Sequence, residues 1–91
     1  MAKFYIFVII GEKMFLNIGF GNFVSKEKIV AILNAESSPA KRLMRSAKEN
    51  NSLIDATCGR KTRSVLTMES GHVVLSSLGS DTIFSKNNEG E

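Results

Sequence analysis

Residues 53–68 have the sequence LIDATCGRKTRSVLTM, in which two apolar runs flank a short basic connection. Residues 53–57 and 64–68 are rich in β-branched and apolar side chains, which favour strands. Residues 58–61 contain the glycine expected in a tight turn. The segment therefore predicts a strand, a turn and a second strand. Three cations lie on the connection: Arg60, Lys61 and Arg63.

A helix is predicted upstream of this segment. We expect Ser38 to accept a hydrogen bond from a free N–H group of the first turn, and Pro39 to take the first helical position, where it loses no hydrogen bond. Asn50-Asn51 ends the helix. Four apolar residues follow the spacing that lines one helix face: Ala40, Leu43, Met44 and Ala47.

Further short elements are predicted on both sides. Upstream strands are expected at residues 15–18, 23–24 and 29–33, with a glycine-rich turn at residues 19–22. Downstream, Ser70-Gly71 is a hairpin signal that leads into a strand over residues 72–77. A short C-terminal helix is expected at residues 81–85.

These elements predict an α+β domain: a small, mostly antiparallel β-sheet with one main helix and a short C-terminal helix. We expect the domain to cover residues 14–85 and a disordered tail to cover residues 86–91. One short helix covers only one face of such a sheet. We therefore expect contact with further copies of the chain to cover the other face.

Residues 1–13 form an N-terminal extension with two interpretations. Phe4 to Ile10 is an apolar run that suits a strand added to the sheet. Alternatively, Met14 is the biological start and residues 1–13 are upstream sequence read in frame, because Gly11-Glu12-Lys13 can be encoded by a purine-rich stretch like a ribosome-binding site. We prefer the second interpretation. The intact mass of the protein made from its native gene distinguishes them.

The composition argues against several classes of protein. One cysteine cannot form an internal disulfide, and a single cysteine with a single histidine cannot supply a zinc site. Gly59-Arg60-Lys61-Thr62 lacks the upstream glycine of a phosphate-binding P-loop, and residues 19–22 lack the third glycine of a dinucleotide fingerprint. No apolar run approaches the ~20 residues that span a bilayer. We therefore predict no enzyme activity, cofactor, metal or membrane partner.

Positive charge is concentrated in the middle of the chain. Residues 26–63 contain nine Lys or Arg and four Asp or Glu, although the whole chain carries only +3. A polyanion is the natural partner of such a segment. Lys26 and Lys28 alternate in a segment expected to be extended, which would place both on one side. A further basic group lies on the predicted helix: Lys41, Arg42, Arg45 and Lys48. A solvated charged surface is the alternative for each group.

Four segments occur together in an order and spacing that resemble one known family. They are residues 16–22 (LNIGFGN), 36–42 (ESSPAKR), 53–63 (LIDATCGRKTR) and 72–76 (HVVLS). They resemble the RemA family of small bacterial regulators of extracellular-matrix (biofilm) genes, and the resemblance runs from Met14 to about Thr82. It implies a DNA-binding transcriptional regulator without catalysis, which forms a ring-like homo-oligomer on double-stranded promoter DNA in the cytoplasm, associated with the nucleoid.

The resemblance also implies which residues bind DNA. The family's DNA-contacting arginines map onto Lys28, Arg60 and Lys61. Lys stands in place of Arg at positions 28 and 61, so the charge is kept but the bidentate fork is lost. We expect phosphate binding to persist and finer discrimination to weaken. Arg63, on the same basic turn, completes the predicted nucleic-acid-binding set.

Two other functions suit the same features. A basic β-surface also serves a small RNA-binding protein, for which exposed aromatic residues that stack on bases are the distinguishing feature. A structural ring without a nucleic-acid role would carry its positive charge for solubility alone. Binding to nucleic acid that does not depend on salt would favour this last interpretation.

Overall fold

The computed structural model describes residues 7–10, for which only the backbone is considered, and residues 13–83. Most of the predicted N-terminal extension and the predicted tail over residues 86–91 lie outside the described residues. The strands are β1 (Phe7–Ile10), β2 (Lys13–Gly19), β3 (Asn22–Ser25), β4 (Ile29–Asn34), β5 (Leu53–Asp55), β6 (Ser64–Met68) and β7 (Val73–Ser76). A 3₁₀ turn covers Lys26–Lys28 and helix α1 covers Ser38–Glu49. Residues 80–83 are also helical, within the short C-terminal helix predicted over residues 81–85, of which residues 84–85 lie outside the description.

The strands form two sheets, where the sequence predicted one. The first contains β1, β2 and β3 in antiparallel order, so Phe7–Ile10 forms a strand, as the strand interpretation of the apolar run expects. The second has the order β4-β6-β7-β5 and is antiparallel except for the parallel pair β5 and β7. The α+β class with mostly antiparallel pairing is confirmed. The prediction of a single sheet is wrong because the 3₁₀ turn after β3 directs the chain out of the first sheet.

The N-cap of helix α1 lies one residue earlier than predicted. The hydroxyl of Ser37 accepts a hydrogen bond from the Ala40 N–H at 3.3 Å and donates one to the carbonyl of Asn34 at 2.7 Å. Ser37, and not Ser38, is therefore the N-cap, because the Asn34 carbonyl fixes its hydroxyl below the first turn. The predicted apolar face is confirmed, since Ala40 and Ala47 are buried.

The second sheet is packed on both faces. Alternate residues of a strand point to opposite faces. Val65 of β6 faces helix α1, with Val73 and Leu75 of β7 beside it. The neighbouring Leu66 and Val74 face the other way. All five are buried, so neither face of the central strands is open to solvent.

Strand β2 covers the face opposite the helix. Leu16 and Ile18 pack there against Leu66 and Val74, and Ile83 completes the cluster. The expectation that another copy of the chain would cover this face is therefore wrong, because the chain's own first sheet does so. Any contact between copies must use other surfaces.

Two buried serines tie the layers together. Ser64 and Ser76 lie opposite each other in β6 and β7 and are fully buried. The Ser76 hydroxyl donates to the carbonyl of Ile18 at 2.8 Å, and the Ser64 hydroxyl donates to the carbonyl of Leu78 at 2.7 Å. The Ser76 bond fixes the end of β2 against the second sheet, and the Ser64 bond fixes the segment that follows β7.

Four large apolar side chains remain exposed among the described residues. The most exposed is Val30, at 67%, which lies where the register of β4 with β6 shifts between Ile29 and Ala31. The others are Phe20, Phe23 and Ile54. Among the described residues, no helix has the length and apolar character needed to cross a bilayer.

Candidate nucleic-acid interface

The basic loop, residues 57–63, precedes β6 and begins with a tight turn. The Arg60 N–H donates to the Thr57 carbonyl at 3.0 Å, and the two residues between them have positive φ: 52° at Cys58 and 82° at Gly59. Two positive φ values at the centre of a four-residue turn are the mark of type I′ geometry. The turn predicted at this position is confirmed. Cys58 is exposed.

Asp55 anchors this turn. One of its carboxylate oxygens accepts hydrogen bonds from the Thr57 hydroxyl at 2.6 Å and from the Thr57 N–H at 2.9 Å. The hydrogen bond from the Thr57 hydroxyl, and to a lesser extent the one from the Thr57 N–H, hold the pKa of the Asp55 carboxyl below its ordinary value. Desolvation of the carboxyl opposes this shift. The buried Thr57 side chain thus sets the start of the basic loop. Thr57 is therefore the hydrogen-bonding partner of this carboxylate.

The far end of the loop is held by backbone hydrogen bonds. The Arg63 N–H donates to the Ser76 carbonyl at 2.8 Å, and the Arg63 carbonyl accepts from the Ala35 N–H at 3.1 Å. The backbone of Arg63 is therefore fixed between β7 and the end of β4. Its side chain extends from a rigid base into solvent, since the residue itself is exposed.

A second turn faces the basic loop. Gly19, Phe20 and Gly21 connect β2 to β3 with positive φ at all three positions (106°, 57° and 76°), and the Asn17 side chain accepts from the Gly19 N–H at 2.8 Å. The Phe20 ring is 51% exposed, and the Arg60 guanidinium lies 5.6 Å from its centroid. The glycine turn was predicted. The exposure of Phe20 was not, because an isolated apolar residue is more often part of the core.

The two turns enclose an open concavity of about 470 Å³. Its lining combines three cations, one aromatic ring and no acidic side chain among the described residues. The lining residues are Gly19, Phe20, Arg60, Lys61, Arg63, Ser77 and Leu78. Three of the four predicted nucleic-acid-binding residues, Arg60, Lys61 and Arg63, are therefore gathered at one surface.

Lys61 also faces a carboxylate outside this concavity. Its ammonium lies 3.7 Å from a carboxylate oxygen of Glu36, and both side chains are largely exposed. An exposed pair of this kind contributes about 0–1 kcal/mol. A phosphate can therefore replace Glu36 as the partner of Lys61 at little loss.

Lys28, the fourth predicted residue, lies elsewhere. Lys26–Lys28 form a 3₁₀ turn, so the prediction that Lys26 and Lys28 alternate on one side of an extended segment is wrong. Lys28 precedes β4 at the end where Ile29 pairs with Met68, whereas the basic loop follows the end where Asn34 pairs with Ser64. Five residues of strand separate the two ends by about 16 Å.

The surroundings of Lys28 differ from those of the basic loop. Its ammonium lies 3.4 Å from a carboxylate oxygen of Glu69, and both groups are exposed. It borders a second open concavity, of about 490 Å³, half of whose other lining residues are apolar: Val24, Ile54, Met68 and Val74. The four predicted nucleic-acid-binding residues therefore lie at two separate positions of the described structure.

The helical cations form a third location. Lys41, Arg42, Arg45 and Lys48 are all exposed, while the opposite side of α1 packs on the second sheet. None of them lines the concavity at the basic loop. The fold therefore does not gather all three basic groups on one surface. This agrees with the solvated-surface interpretation of the helix.

The described residues offer little for metal or acid–base chemistry. They contain no group of three or more His, Cys, Asp or Glu side chains that could hold a metal ion. His72 is exposed in the hairpin after β6, where its Nδ1 lies 2.8 Å from the Ser70 hydroxyl.

Comparison with known proteins identifies relatives of the chain. The family described as RemA-like, "Extracellular matrix regulatory protein A-like", matches residues 15–86. Proteins of Bacillus cytotoxicus, Bacillus mycoides and Bacillus cereus are each 53% identical to this chain over 77 residues, which covers 85% of this chain and 88% of theirs. Each of the three is named a "Putative regulatory protein". The resemblance found in the sequence is confirmed.

Proposed function

Because the chain belongs to the RemA-like family of regulatory proteins, we propose that it is a transcriptional regulator that binds duplex DNA as a closed homo-oligomer. The observation that carries the proposal is the concavity in which Arg60, Lys61 and Arg63 converge beside Phe20 without an acidic side chain. The family description, which refers to the extracellular matrix, supports matrix genes as the targets. Such a regulator acts on chromosomal DNA in the cytoplasm.

The basic loop suits phosphate for chemical reasons. Arg60 and Arg63 present guanidinium groups, which bind two phosphate oxygens through parallel N–H donors, and Lys61 adds a point charge. The backbone that carries them is fixed at Thr57 and at Arg63 by hydrogen bonds. Cations held on a rigid base lose less conformational entropy on binding than cations on a mobile loop. These contacts position the protein on DNA without reading its sequence.

Lys28 contacts a different phosphate from the one bound by the basic loop. It lies about 16 Å along β4 from the basic loop, too far for both to grip one phosphate group. One copy thus offers two weak anchor points. Non-specific contacts of this kind give dissociation constants of roughly 10⁻⁴–10⁻⁶ M.

Repetition of these anchor points supplies the missing affinity. In a ring, each copy after the first binds at a high effective concentration, which can increase overall affinity by about 10²–10⁴-fold. The exposed apolar residues Val30 and Ile54 are available for contacts between copies. Sequence preference then arises from the bending and groove width of the DNA, since no helix among the described residues presents an evident reader of the major groove.

Substitution of the anchor residues tests this function. We expect Arg60→Ala and Lys28→Ala to abolish duplex binding in fluorescence anisotropy while light scattering shows an unchanged oligomer. Lys41→Ala, on the outer face of α1, is the matched control and should bind as the wild type does. Wild-type affinity in both Arg60→Ala and Lys28→Ala would contradict the proposal.

Binding to single-stranded RNA is the second candidate, and one observation favours it. Phe20 is exposed beside Arg60, as a base-stacking residue would be. Single-strand binders carry such rings along a basic groove. Competition between duplex DNA and single-stranded RNA for the wild-type protein decides between the two, and we expect the duplex to win.

A further inference from the structure

We propose that Phe20 is an uncharged DNA-contacting residue: its ring packs against a deoxyribose of the bound strand while Arg60 grips the adjoining phosphate. The inference rests on the proposed function and assigns a role to a residue that carries no charge. The exposed ring and the guanidinium are 5.6 Å apart. In DNA a sugar is bonded directly to each phosphate, so a ring beside a phosphate-binding Arg lies where a sugar must pass.

The backbone at Phe20 indicates that the ring is presented there at an energetic cost. A φ of 57° is left-handed, a conformation that is unfavourable for an L-residue and that glycine adopts freely. The flanking Gly19 and Gly21 also have positive φ, so a glycine at position 20 would suit the turn better. Strained residues of this kind persist where the surroundings or the function require them.

The core does not require the ring. Phe20 is 51% exposed, while the nearby Ile18 is 1% exposed and supplies the packing of this end of β2. The side chain of Phe20 instead lines the concavity of Arg60, Lys61 and Arg63. Packing therefore gives no reason for a large apolar residue at this position, whereas a ligand in the concavity does.

The contact between Phe20 and Arg60 places the cation beside the ring. A guanidinium near an exposed aromatic face is weakly attracted to it. The ring and the guanidinium therefore meet the same stretch of a bound strand. The same concavity is also lined by three uncharged residues, Gly19, Ser77 and Leu78, which leave room for a sugar beside the cations.

An uncharged contact has a thermodynamic signature that differs from that of a cation. Each phosphate neutralised by a Lys or Arg adds about −0.9 to the slope of log K against log salt for B-DNA. Loss of the Phe20 ring should therefore lower the affinity equally at every salt concentration and leave the slope unchanged. Loss of Arg60 should make the slope shallower. The affinity for inorganic polyphosphate, which has phosphates but no sugars, should not depend on the ring.

The test compares three variants: Phe20→Leu, Phe20→Tyr and Arg60→Ala. The control is Phe23→Leu, which changes the other exposed aromatic residue of the same hairpin. Duplex affinity is measured by anisotropy across a salt series, polyphosphate affinity by competition, and oligomeric state by light scattering. We expect Phe20→Leu to bind duplex roughly five- to tenfold more weakly with an unchanged slope and unchanged polyphosphate affinity. Phe20→Tyr and Phe23→Leu should match the wild type.

Several results would overturn the inference while leaving the proposed function intact. Wild-type duplex affinity in Phe20→Leu would do so, as would a shallower slope, an equal loss of polyphosphate binding or a change of oligomeric state in that variant. A loss confined to single-stranded RNA would overturn it in favour of the RNA candidate. Failure of the wild-type protein to bind duplex would instead overturn the proposed function and this inference together.

Discussion

The hydroxyl of Ser76 donates a hydrogen bond of 2.8 Å to the carbonyl of Ile18, 58 residues away in the chain. The same hydroxyl oxygen accepts from the Leu78 N–H at 3.0 Å. One buried side chain thus joins the end of β2 to the second sheet and to the segment after β7. Because the Phe20 turn follows Ile18 directly, this bond also sets the distance between that turn and the basic loop.

Ser76→Ala should destabilise the fold. The substitution leaves the Ile18 carbonyl and the Leu78 N–H without this partner, and an unsatisfied buried polar group costs about 1–3 kcal/mol. For a domain of this size we expect a fall in melting temperature of roughly 4–8 °C for each kcal/mol lost. Thermal denaturation followed by circular dichroism measures it. Ser70→Ala, which removes an exposed hydroxyl, is the control, and equal melting temperatures for the two variants would contradict the role of Ser76.

Asp55→Asn should weaken the fold at neutral pH more than in acid. The pKa of Asp55 is lowered in the folded state by its bonds with Thr57, so the carboxylate stabilises the fold above its unfolded pKa, near 3.9. That contribution disappears as the pH falls through the lower folded pKa. The side chain is exposed, so we expect a loss of less than about 1 kcal/mol at pH 7.

Urea denaturation of the wild type and Asp55→Asn at pH 7 and near pH 3 tests this dependence. The difference in unfolding free energy between the two proteins should be largest at pH 7 and should shrink in acid. Glu49→Gln, at the end of α1, serves as a control for the loss of one acidic group. A difference between the wild type and Asp55→Asn that grows as the pH falls would contradict the assigned partner.

Glu36→Gln should strengthen DNA binding. Glu36 lies 3.7 Å from the Lys61 ammonium and competes with phosphate for it. Removal of the negative charge frees Lys61 and lowers the repulsion of the DNA backbone, so we expect roughly two- to threefold tighter binding per copy at low salt, and less as salt screens the effect. Anisotropy at two salt concentrations measures it, with Glu49→Gln again as the control. Unchanged or weaker binding would show that Lys61 does not face the DNA.

Lys61→Arg should tighten duplex binding without changing its salt dependence. Both side chains carry one positive charge, but the guanidinium can bind two phosphate oxygens at once. We expect a gain of severalfold in affinity and an equal slope of log K against log salt. Lys41→Arg on the outer face of α1 should have no effect. A steeper slope in Lys61→Arg would mean that the substitution recruits an additional phosphate.

The sequence predicted the local elements well because their signals are local. The apolar spacing of α1, the glycine turn after β2 and the turn at residues 58–61 each depend on neighbouring residues alone. The helix cap was misplaced because Ser37 and Ser38 are adjacent, and only the contact of Ser37 with the carbonyl of Asn34 selects between them.

The arrangement of the sheets could not be predicted in the same way. The parallel pairing of β5 with β7 and the packing of β2 on Leu66 and Val74 join distant parts of the chain, and no nearby residue indicates them. The basic loop was identified from its composition, but its neighbour Phe20 was not. An exposed ring and a buried ring look alike in a sequence, and only the position of the turn beside Arg60 distinguishes them.

The light-scattering mass of the purified protein, free and mixed with duplex DNA in dilute buffer, tests the central claim most directly. We expect an assembly of several copies when the protein is free, and a mass increased by that of the DNA when duplex is added. A monomer at working concentrations, or an assembly whose mass does not change when duplex is added, would contradict it.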